Sequence, residues 1–392
     1  MTALHRDQST VLCYAALGTF AYCLYALGPL LALLRTELEF SYAILSLHTL
    51  AWATGTVVTG LVYHRLAAMM GRRRLFWLSA LGMVAGASMF VAGHMVAVTV
   101  LAAAVLGTAG SLVQTATFAI LADHHGIHRD QALVEANTIA SAAAVLAPLV
   151  LGWLAHGPLG WRAAMLVPVL ALAVLRLLLG SQQLSGQAKV GSGTGVTGKL
   201  PRLCMVRCVL VSVVVGLEFC VVFYGAQLLP TTTGISTVEA ATAMALFYVG
   251  ELVGRVVGSG LTRRPGRTVP MLTCSLALTA VGVLGIWLVG TPWVALAALA
   301  VAGLGVANLF PLSLALAVAA SGGQTDRAAA RSQLLVGLAI GLAPLGLGAL
   351  ADGWGVWRGF SVTILMMCIA AALLAGSHRP TPTSPTAITN AE

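Results

Sequence analysis

The sequence predicts an all-α membrane protein in which twelve transmembrane helices form two six-helix bundles, related by a pseudo-twofold axis along the membrane normal. Three observations predict this fold class: the composition, the spacing of the apolar segments and an internal repeat. Of the 392 residues, 59% are hydrophobic and 8% are charged, and the mean hydropathy is +0.94. A soluble domain carries about 25% charged residues. The chain therefore has too little polar surface to cover a water-soluble globule.

The apolar residues fall into twelve blocks of about 18–25 residues, a length that crosses a ~30 Å hydrocarbon core as a helix. The first block is much longer than the roughly 7–15 apolar residues of a signal peptide, so we expect it to be retained as the first helix. The predicted spans are residues 11–34, 41–63, 75–93, 96–122, 132–155, 162–180, 204–229, 238–261, 268–290, 293–318, 330–351 and 358–376.

The net charge of +9 reflects membrane topology rather than nucleic-acid binding. If the N-terminus lies in the cytoplasm, every Lys and Arg except Arg35, Arg162 and Arg358 falls on the cytoplasmic side, as the positive-inside rule requires. An even number of spans returns the C-terminus to the same side. We therefore expect a multi-pass protein of the cell (plasma or inner) membrane, embedded in lipid, with both termini cytoplasmic and no nucleic-acid partner.

An internal repeat divides the chain into two equivalent halves. Residues 147–162 read APLVLGWLAHGPLGWR and residues 343–358 read APLGLGALADGWGVWR, with ten of sixteen positions identical at an offset of 196. Because six helices separate the two copies, both run in the same direction across the membrane. The predicted organisation is an N-terminal bundle, a Gly- and Ser-rich cytoplasmic linker, a C-terminal bundle and a disordered tail. Their boundaries are residues 1–184, 185–202, 203–378 and 379–392.

Short motifs after the second and eighth spans resemble a family signature. The second span is followed by GLVYHR (residues 60–65) and GRRR (71–74), and the eighth by GSGLTRR (258–264). On these motifs, and over essentially its whole length, the chain resembles the major facilitator superfamily. The resemblance implies a transporter that works by alternating access, without a cofactor. A single chain already contains both halves of the pathway, so a monomer suffices.

The chain departs from the family pattern at three places. His64 stands where the family usually has Asp, and Ala103 stands roughly where many drug/proton antiporters of the family carry an Arg. The antiporter motif of the fifth helix is present only in part, as Ala143, Ala147, Pro148 and Gly152.

Two carboxyl groups are predicted to lie near the centre of the membrane, Glu218 and Glu251. Burying an ionisable group there costs a few kcal/mol, so each is a functional hypothesis. We predict that Glu218 binds the coupling proton or cation, or is the counter-ion of a cationic solute; the alternative is a protonated side chain bonded to a neighbouring helix. Glu251 lies four residues before Arg255, so the two are expected to pair. This pair either controls an inner gate, or it only neutralises two charges so that their helix inserts into the membrane.

Other charged residues are predicted to act in gating. The resemblance implies that Arg65, Arg72 and Asp123 form a cytoplasmic charge network that switches. The alternative is that these charges only set the membrane topology. The repeat aligns Glu135 with Arg331, which suggests a charge pair near the inner ends of the fifth and eleventh spans. Gly71 and Arg263 belong to the two signature loops, and Pro148 and Pro344 are predicted hinges or static kinks.

The resemblance also implies that the first, fourth, seventh and tenth spans line a central cavity. Their polar and aromatic residues near mid-depth suit an amphipathic solute. The alternative role for each side chain is a hydrogen bond between helices. The predicted substrate-contacting residues are Tyr22, Tyr25, Gln114, Glu218, Tyr224, Gln227 and Asn308, with His48 of the second span at the outer part.

The predicted function is secondary transport of a small organic, amphipathic solute, by proton-coupled export, with uptake by proton symport or facilitated transport as the alternative. An enzyme is the main alternative from another class, because Asp123, His124, His125 and His128 are clustered. Their spacing fits no known metal signature, so we expect neither an enzyme nor a metal site. A non-transporting sensor is the remaining alternative. The absence of a sizeable soluble domain to transmit a signal argues against it.

Overall fold

The computed structural model describes residues 6–182, 199–261 and 268–376. Most of the predicted linker, the predicted tail and Arg263 lie outside the described residues. Over the part described, the chain is α-helical with two short 3₁₀ segments, Gly126–His128 and Trp161–Met165, and it contains no strand. The all-α fold class predicted from the sequence is therefore confirmed.

Within the described residues, thirteen α-helices account for the twelve predicted spans. Eleven spans are long and apolar enough to cross a membrane, and the twelfth is a shorter apolar helix. The helices are α1 Gln8–Leu38, α2 Tyr42–Met70, α3 Arg72–Ala92, α4 Val96–His125, α5 Arg129–Ala155, α6 Leu166–Leu179, α7 Arg202–Thr233, α8 Thr237–Leu261, α9 Thr268–Leu288, α10 Pro292–Val306, α11 Leu309–Ala319, α12 Thr325–Gly359 and α13 Ser361–Gly376.

Three spans depart from the continuous α-helices that the sequence predicts, and the sixth does so by beginning with the 3₁₀ segment Trp161–Met165 before α6. The tenth is broken between α10 and α11, where the Asn308 side chain donates to the Gly254 carbonyl of α8 at 2.9 Å. The eleventh extends to Gly359 rather than ending near residue 351, and it bends at Gly355, whose φ of 82° favours glycine. Hydropathy does not register the break at Asn308, because that segment remains apolar, and it ends the eleventh span early because the extension carries Asp352 and Arg358.

Capping residues fix where several helices begin and end. The Asp7 carboxylate accepts from the Thr10 amide at 2.9 Å and so starts α1. Ser236 and Glu239 bond reciprocally to each other's backbone amides and start α8. Gly234, with φ 73°, ends α7 in the left-handed conformation. These local signals keep the turns between long helices short.

Successive spans run in opposite directions, with α10 and α11 forming one span, so the bundle has two distinct ends. We call the end that holds the first residues of α1 and α7 the terminal end, and the opposite end, which holds the α1–α2 turn, the far end. We call α1–α6 the N-half and α7–α13 the C-half. α1 and α7 are the most enclosed helices, with 89% and 78% of their most apolar windows buried. They therefore form the centre of the bundle.

The repeat is visible in how the helices pack. Gly107 of α4 faces the backbone of Trp52 in α2, and its repeat equivalent Gly303 of α10 faces the backbone of Phe247 in α8; a Cβ at either glycine would overlap that backbone. Close approach at small residues is typical of membrane helices. Between the halves, α2 packs along α12 and α5 packs along α8. The repeat relates these two interfaces to each other.

Candidate functional site

A charged cluster lies inside the bundle where the two halves meet. Glu218 of α7 and Glu251 of α8 are 8% and 3% exposed. Glu251 forms the predicted ion pair with Arg255, four residues further along α8. Glu218 interacts electrostatically with both of these residues. Arg255 therefore forms its ion pair with Glu251, and Glu218 is a second buried carboxyl group beside that pair.

The guanidinium of Arg255 also connects the halves. Its Nη1 donates to the Ser141 hydroxyl of α5 at 2.6 Å, and it interacts electrostatically with Tyr25 of α1. Ser141 and Tyr25 belong to the N-half, whereas Arg255 and both carboxyl groups belong to the C-half. A change in charge at the cluster therefore acts directly on contacts across the interface.

Tyr248 closes one side of this cluster, and sequence reasoning missed it. Its ring lies 5.0 Å from the Tyr25 ring, centroid to centroid, and its hydroxyl donates to the Tyr25 carbonyl at 3.1 Å. A signal for it exists in the sequence, because Tyr248, Glu251 and Arg255 are spaced i, i+3, i+7 and so share one face of α8. We name Tyr25, Glu218, Tyr248, Glu251 and Arg255 the central cluster.

The halves are joined at the far end by a hydroxyl network. Tyr224 of α7 donates to the Tyr42 carbonyl of α2 at 3.0 Å, and its hydroxyl lies 2.5 Å from that of Ser46. The Ser46 hydroxyl in turn lies 3.0 Å from the Pro344 carbonyl of α12. Tyr224 thus lies in an interface between α2, α7 and α12.

Asp352 adds a charged contact beside this network. Its Oδ1 accepts from the Tyr42 amide at 2.6 Å and its Oδ2 from the Ala43 amide at 2.8 Å. These amides belong to the first turn of α2, where N–H groups have no partner within the helix and the helix dipole favours an anion. The first repeat copy has His156 at the matching position, and this difference between the copies is the signal that sequence reasoning missed.

At the terminal end, Arg72 of α3 pairs with Asp123 of α4 as predicted. Arg65 is exposed, and Gly71 turns the chain between α2 and α3 with φ 76°. Arg72 and Asp123 lie in the N-half, so the pair holds two neighbouring helices together. Its part in gating stays a prediction.

The predicted charge pair between Glu135 and Arg331 is wrong. Glu135 accepts two hydrogen bonds of 2.8 Å from Arg6 and one of 3.1 Å from Tyr14, whereas Arg331 is exposed. The reason is that α5 packs on α1, which brings the residues at the start of the chain next to Glu135. Alignment across a repeat identifies equivalent positions, not neighbours in space.

Three of the predicted cavity residues bond within their own half instead of converging on Glu218. Tyr22 donates to the Ala164 carbonyl at 3.0 Å, and Asn308 bonds to α8 as described above. His48 lies between the Ile44 carbonyl and the Thr99 hydroxyl, at 2.9 Å from each. In this structure their polar groups serve as helix–helix or intrahelical contacts.

The remaining predicted residues lie on helices that face the interior. Gln114 of α4 is half-buried, and Gln227 of α7 is buried with its Nε2 unpartnered among the described residues. Pro148 and Pro344 lie within α5 and α12, which continue as helices through them. Contact of either glutamine with a solute, and hinge motion at either proline, remain predictions.

The clustered histidines His124 and His125 contact the first residues of α1 and its N-cap. His124 lies 3.0 Å from the Asp7 carboxylate, and His125 lies 2.9 Å from the Thr10 hydroxyl. Over the part of the chain that the structure describes, no group of three His, Cys, Asp or Glu side chains is placed to hold a metal ion.

The fold of the chain is similar to the folds of solved transporter structures. The chain is similar in fold to a mutant of the nucleoside transporter NupG (TM-score 0.77, 13% identity, covering 95% of this chain and 99% of that one) and to a D-xylose–proton symporter (0.77, 14%, 96% and 98%). It is also similar to a bacterial homologue of the human lysosomal transporter Spinster, in an inward-facing and occupied conformation (0.75, 14%, 97% and 100%).

None of the curated protein sequences compared with the chain matches it. The family model of the Major Facilitator Superfamily matches residues 11–225 and again residues 208–392. The two matches together cover nearly the whole chain, and they overlap where the second half begins. The chain is therefore a transporter that belongs to the major facilitator superfamily.

Proposed function

We propose that the protein moves a small organic, amphipathic solute by alternating access and that Glu218 carries the coupling proton. The observation that supports this most is a second buried carboxyl group, Glu218, beside the ion pair of Arg255 with Glu251. An ion pair between Arg255 and Glu251 leaves Glu218 without a counter-charge. A buried, uncompensated charge costs several kcal/mol, so Glu218 takes up a proton or a cation when no other partner is present.

Proton exchange at Glu218 changes the contacts between the halves. With Glu218 protonated, Arg255 pairs with Glu251 and holds Ser141 of α5. When Glu218 loses its proton, it competes for the same guanidinium and weakens the bond to Ser141. Occupancy by a proton therefore biases the equilibrium between two arrangements of the halves, which is what coupled transport requires.

The proposed direction is export in exchange for protons, supported by the partial antiporter motif of α5. Uptake with protons is the second candidate, because the chain shares its fold with a D-xylose–proton symporter. The concentration of Lys and Arg at the terminal end supports a cytoplasmic location for that end and insertion into the cell membrane. We propose a monomer, since both halves of the pathway lie in one chain.

Proton movement driven by a solute tests this function. The purified protein is reconstituted in liposomes that contain a pH-sensitive dye, and cationic, neutral and anionic amphiphiles are added in turn. We expect at least one compound to drive proton flux, and Glu218→Gln to reduce this flux by at least tenfold. Glu39→Gln is the matched control, because it makes the same substitution at an exposed residue of the far end.

The sign of the flux distinguishes the two candidates. Protons that move opposite to the solute support export by exchange, and protons that move with it support uptake. Solute transport without proton flux, or equal proton flux in the parent and in Glu218→Gln, contradicts the proposal.

A further inference from the structure

An apolar groove runs along the outer surface of the N-half. It has a volume of about 450 Å³ and is lined by Leu66 and Met70 of α2, Leu75 and Leu78 of α3, and Leu112 of α4, among other residues. It forms because α2 and α3 each pack along α4 but only slightly on each other. The groove therefore begins at the α2–α3 turn and extends toward mid-membrane, with α4 as its floor.

The groove offers no polar group to an occupant. The hydroxyls in its lining belong to Ser79 and Thr108, and each donates to a carbonyl of its own helix, at 2.7 Å to Leu75 and at 2.8 Å to Ala104. Leu78, in the α3 wall, is 52% exposed. An occupant of this surface must be a hydrocarbon, and in a membrane the available hydrocarbon is an acyl chain.

The mouth of the groove is positively charged. Three arginines follow Gly71, and two of them are already engaged: Arg72 by Asp123, and Arg73 by the Gly180 carbonyl at 2.8 Å. Arg74 is exposed and lies one turn before Leu78, so the two side chains share a face of α3. Arg65, also exposed, immediately precedes Leu66 in the opposite wall. Arg74 thus shares a face with a residue of the α3 wall, and Arg65 is adjacent in sequence to a residue of the α2 wall.

We propose that this groove is a binding site for an anionic phospholipid, with one acyl chain between α2 and α3 and the phosphate at Arg74 and Arg65. Basic pockets between transmembrane helices are suited to anionic headgroups, and an acyl chain adds apolar contact that a free anion lacks. A lipid bound here touches the loop that carries Arg72. It therefore links the membrane's lipid composition to the pair that Arg72 forms with Asp123.

Native mass spectrometry of the detergent-purified protein tests the site. The protein is titrated with phosphatidylglycerol, with phosphatidylcholine of the same chain length, and with glycerol phosphate, which has no acyl chain. We expect tighter binding of phosphatidylglycerol than of phosphatidylcholine and none of glycerol phosphate. Arg74→Gln should weaken phosphatidylglycerol binding roughly fivefold, which corresponds to about 1 kcal/mol per basic residue near the membrane surface.

Two further variants keep the test decisive. Arg202→Gln removes an exposed charge at the same end of the bundle but in the C-half, and it should leave binding unchanged. Leu78→Trp narrows the groove without changing charge, and it should weaken binding of both phospholipids. Equal losses in Arg74→Gln and Arg202→Gln would mean general attraction to a basic surface and overturn the proposal. Phospholipid binding by Leu78→Trp at the level of the parent would also overturn the proposal. Displacement of phosphatidylglycerol by glycerol phosphate would do the same.

Discussion

Replacing Arg255 with leucine is expected to lower the free energy of unfolding by about 3 kcal/mol and to abolish transport. Breaking a buried ion pair by removing one partner typically costs about 3–5 kcal/mol, because the other charge stays buried and unpaired. The lower end of the range applies, since the Arg255 side chain is 39% exposed. Thermal unfolding of the protein in detergent measures this loss. In the variant, Glu251 would lose its counter-charge.

A paired substitution serves as the control for this prediction. In Arg255→Leu combined with Glu251→Gln, the carboxylate that lost its ion-pair partner is removed as well, so most of the lost stability should return. Transport should stay abolished, because the contact with Ser141 is still missing. Parental stability of the single variant would show that the guanidinium does not compensate the buried carboxyl groups.

Replacing Asp352 with asparagine is expected to open the far end. Asparagine offers one acceptor oxygen instead of two and carries no charge, so the contact with the first turn of α2 loses roughly 1–2 kcal/mol. That loss changes the ratio of molecules with an open far end to molecules with a closed far end roughly 5- to 30-fold. Spin labels at Glu39 and Trp354, after replacement of the exposed Cys274 and Cys368, report the distance between the halves.

The same substitution at the terminal end provides the comparison. Asp123→Asn disrupts the pair with Arg72 within the N-half, so it should not increase the population with a long far-end distance. If Asp352→Asn gives the same distance distribution as the parent, the contact with α2 does not hold the far end closed.

Much of the fold could be predicted from the sequence, because the membrane imposes simple constraints. A span must have about 20 apolar residues, and this condition alone places all twelve helices. The repeat then predicts that the halves are equivalent, as the matching environments of Gly107 and Gly303 show. The break at Asn308 was missed because the surrounding residues are as apolar as a continuous span.

Within the central cluster, contacts were predictable only where the residues are neighbours along one helix. Glu251 and Arg255 were paired correctly from their i, i+4 spacing. The approach of Glu218 to that pair depends on the rotation of α7 against α8, which residue spacing does not contain. For the same reason, the Ser141 contact could not be found, since it joins helices from different halves. The Asp352 contact also joins the halves, and its one signal was the difference between the repeat copies at this position.

Counterflow in liposomes tests the central claim, that Glu218 couples proton movement to solute movement. In counterflow, labelled solute exchanges for unlabelled solute and no net proton movement is needed. With a solute found by the proton-flux screen, Glu218→Gln should retain counterflow near the parental rate and lose accumulation driven by a proton gradient. If the variant still accumulates solute against its gradient, or if it loses counterflow as well, Glu218 is not the coupling residue.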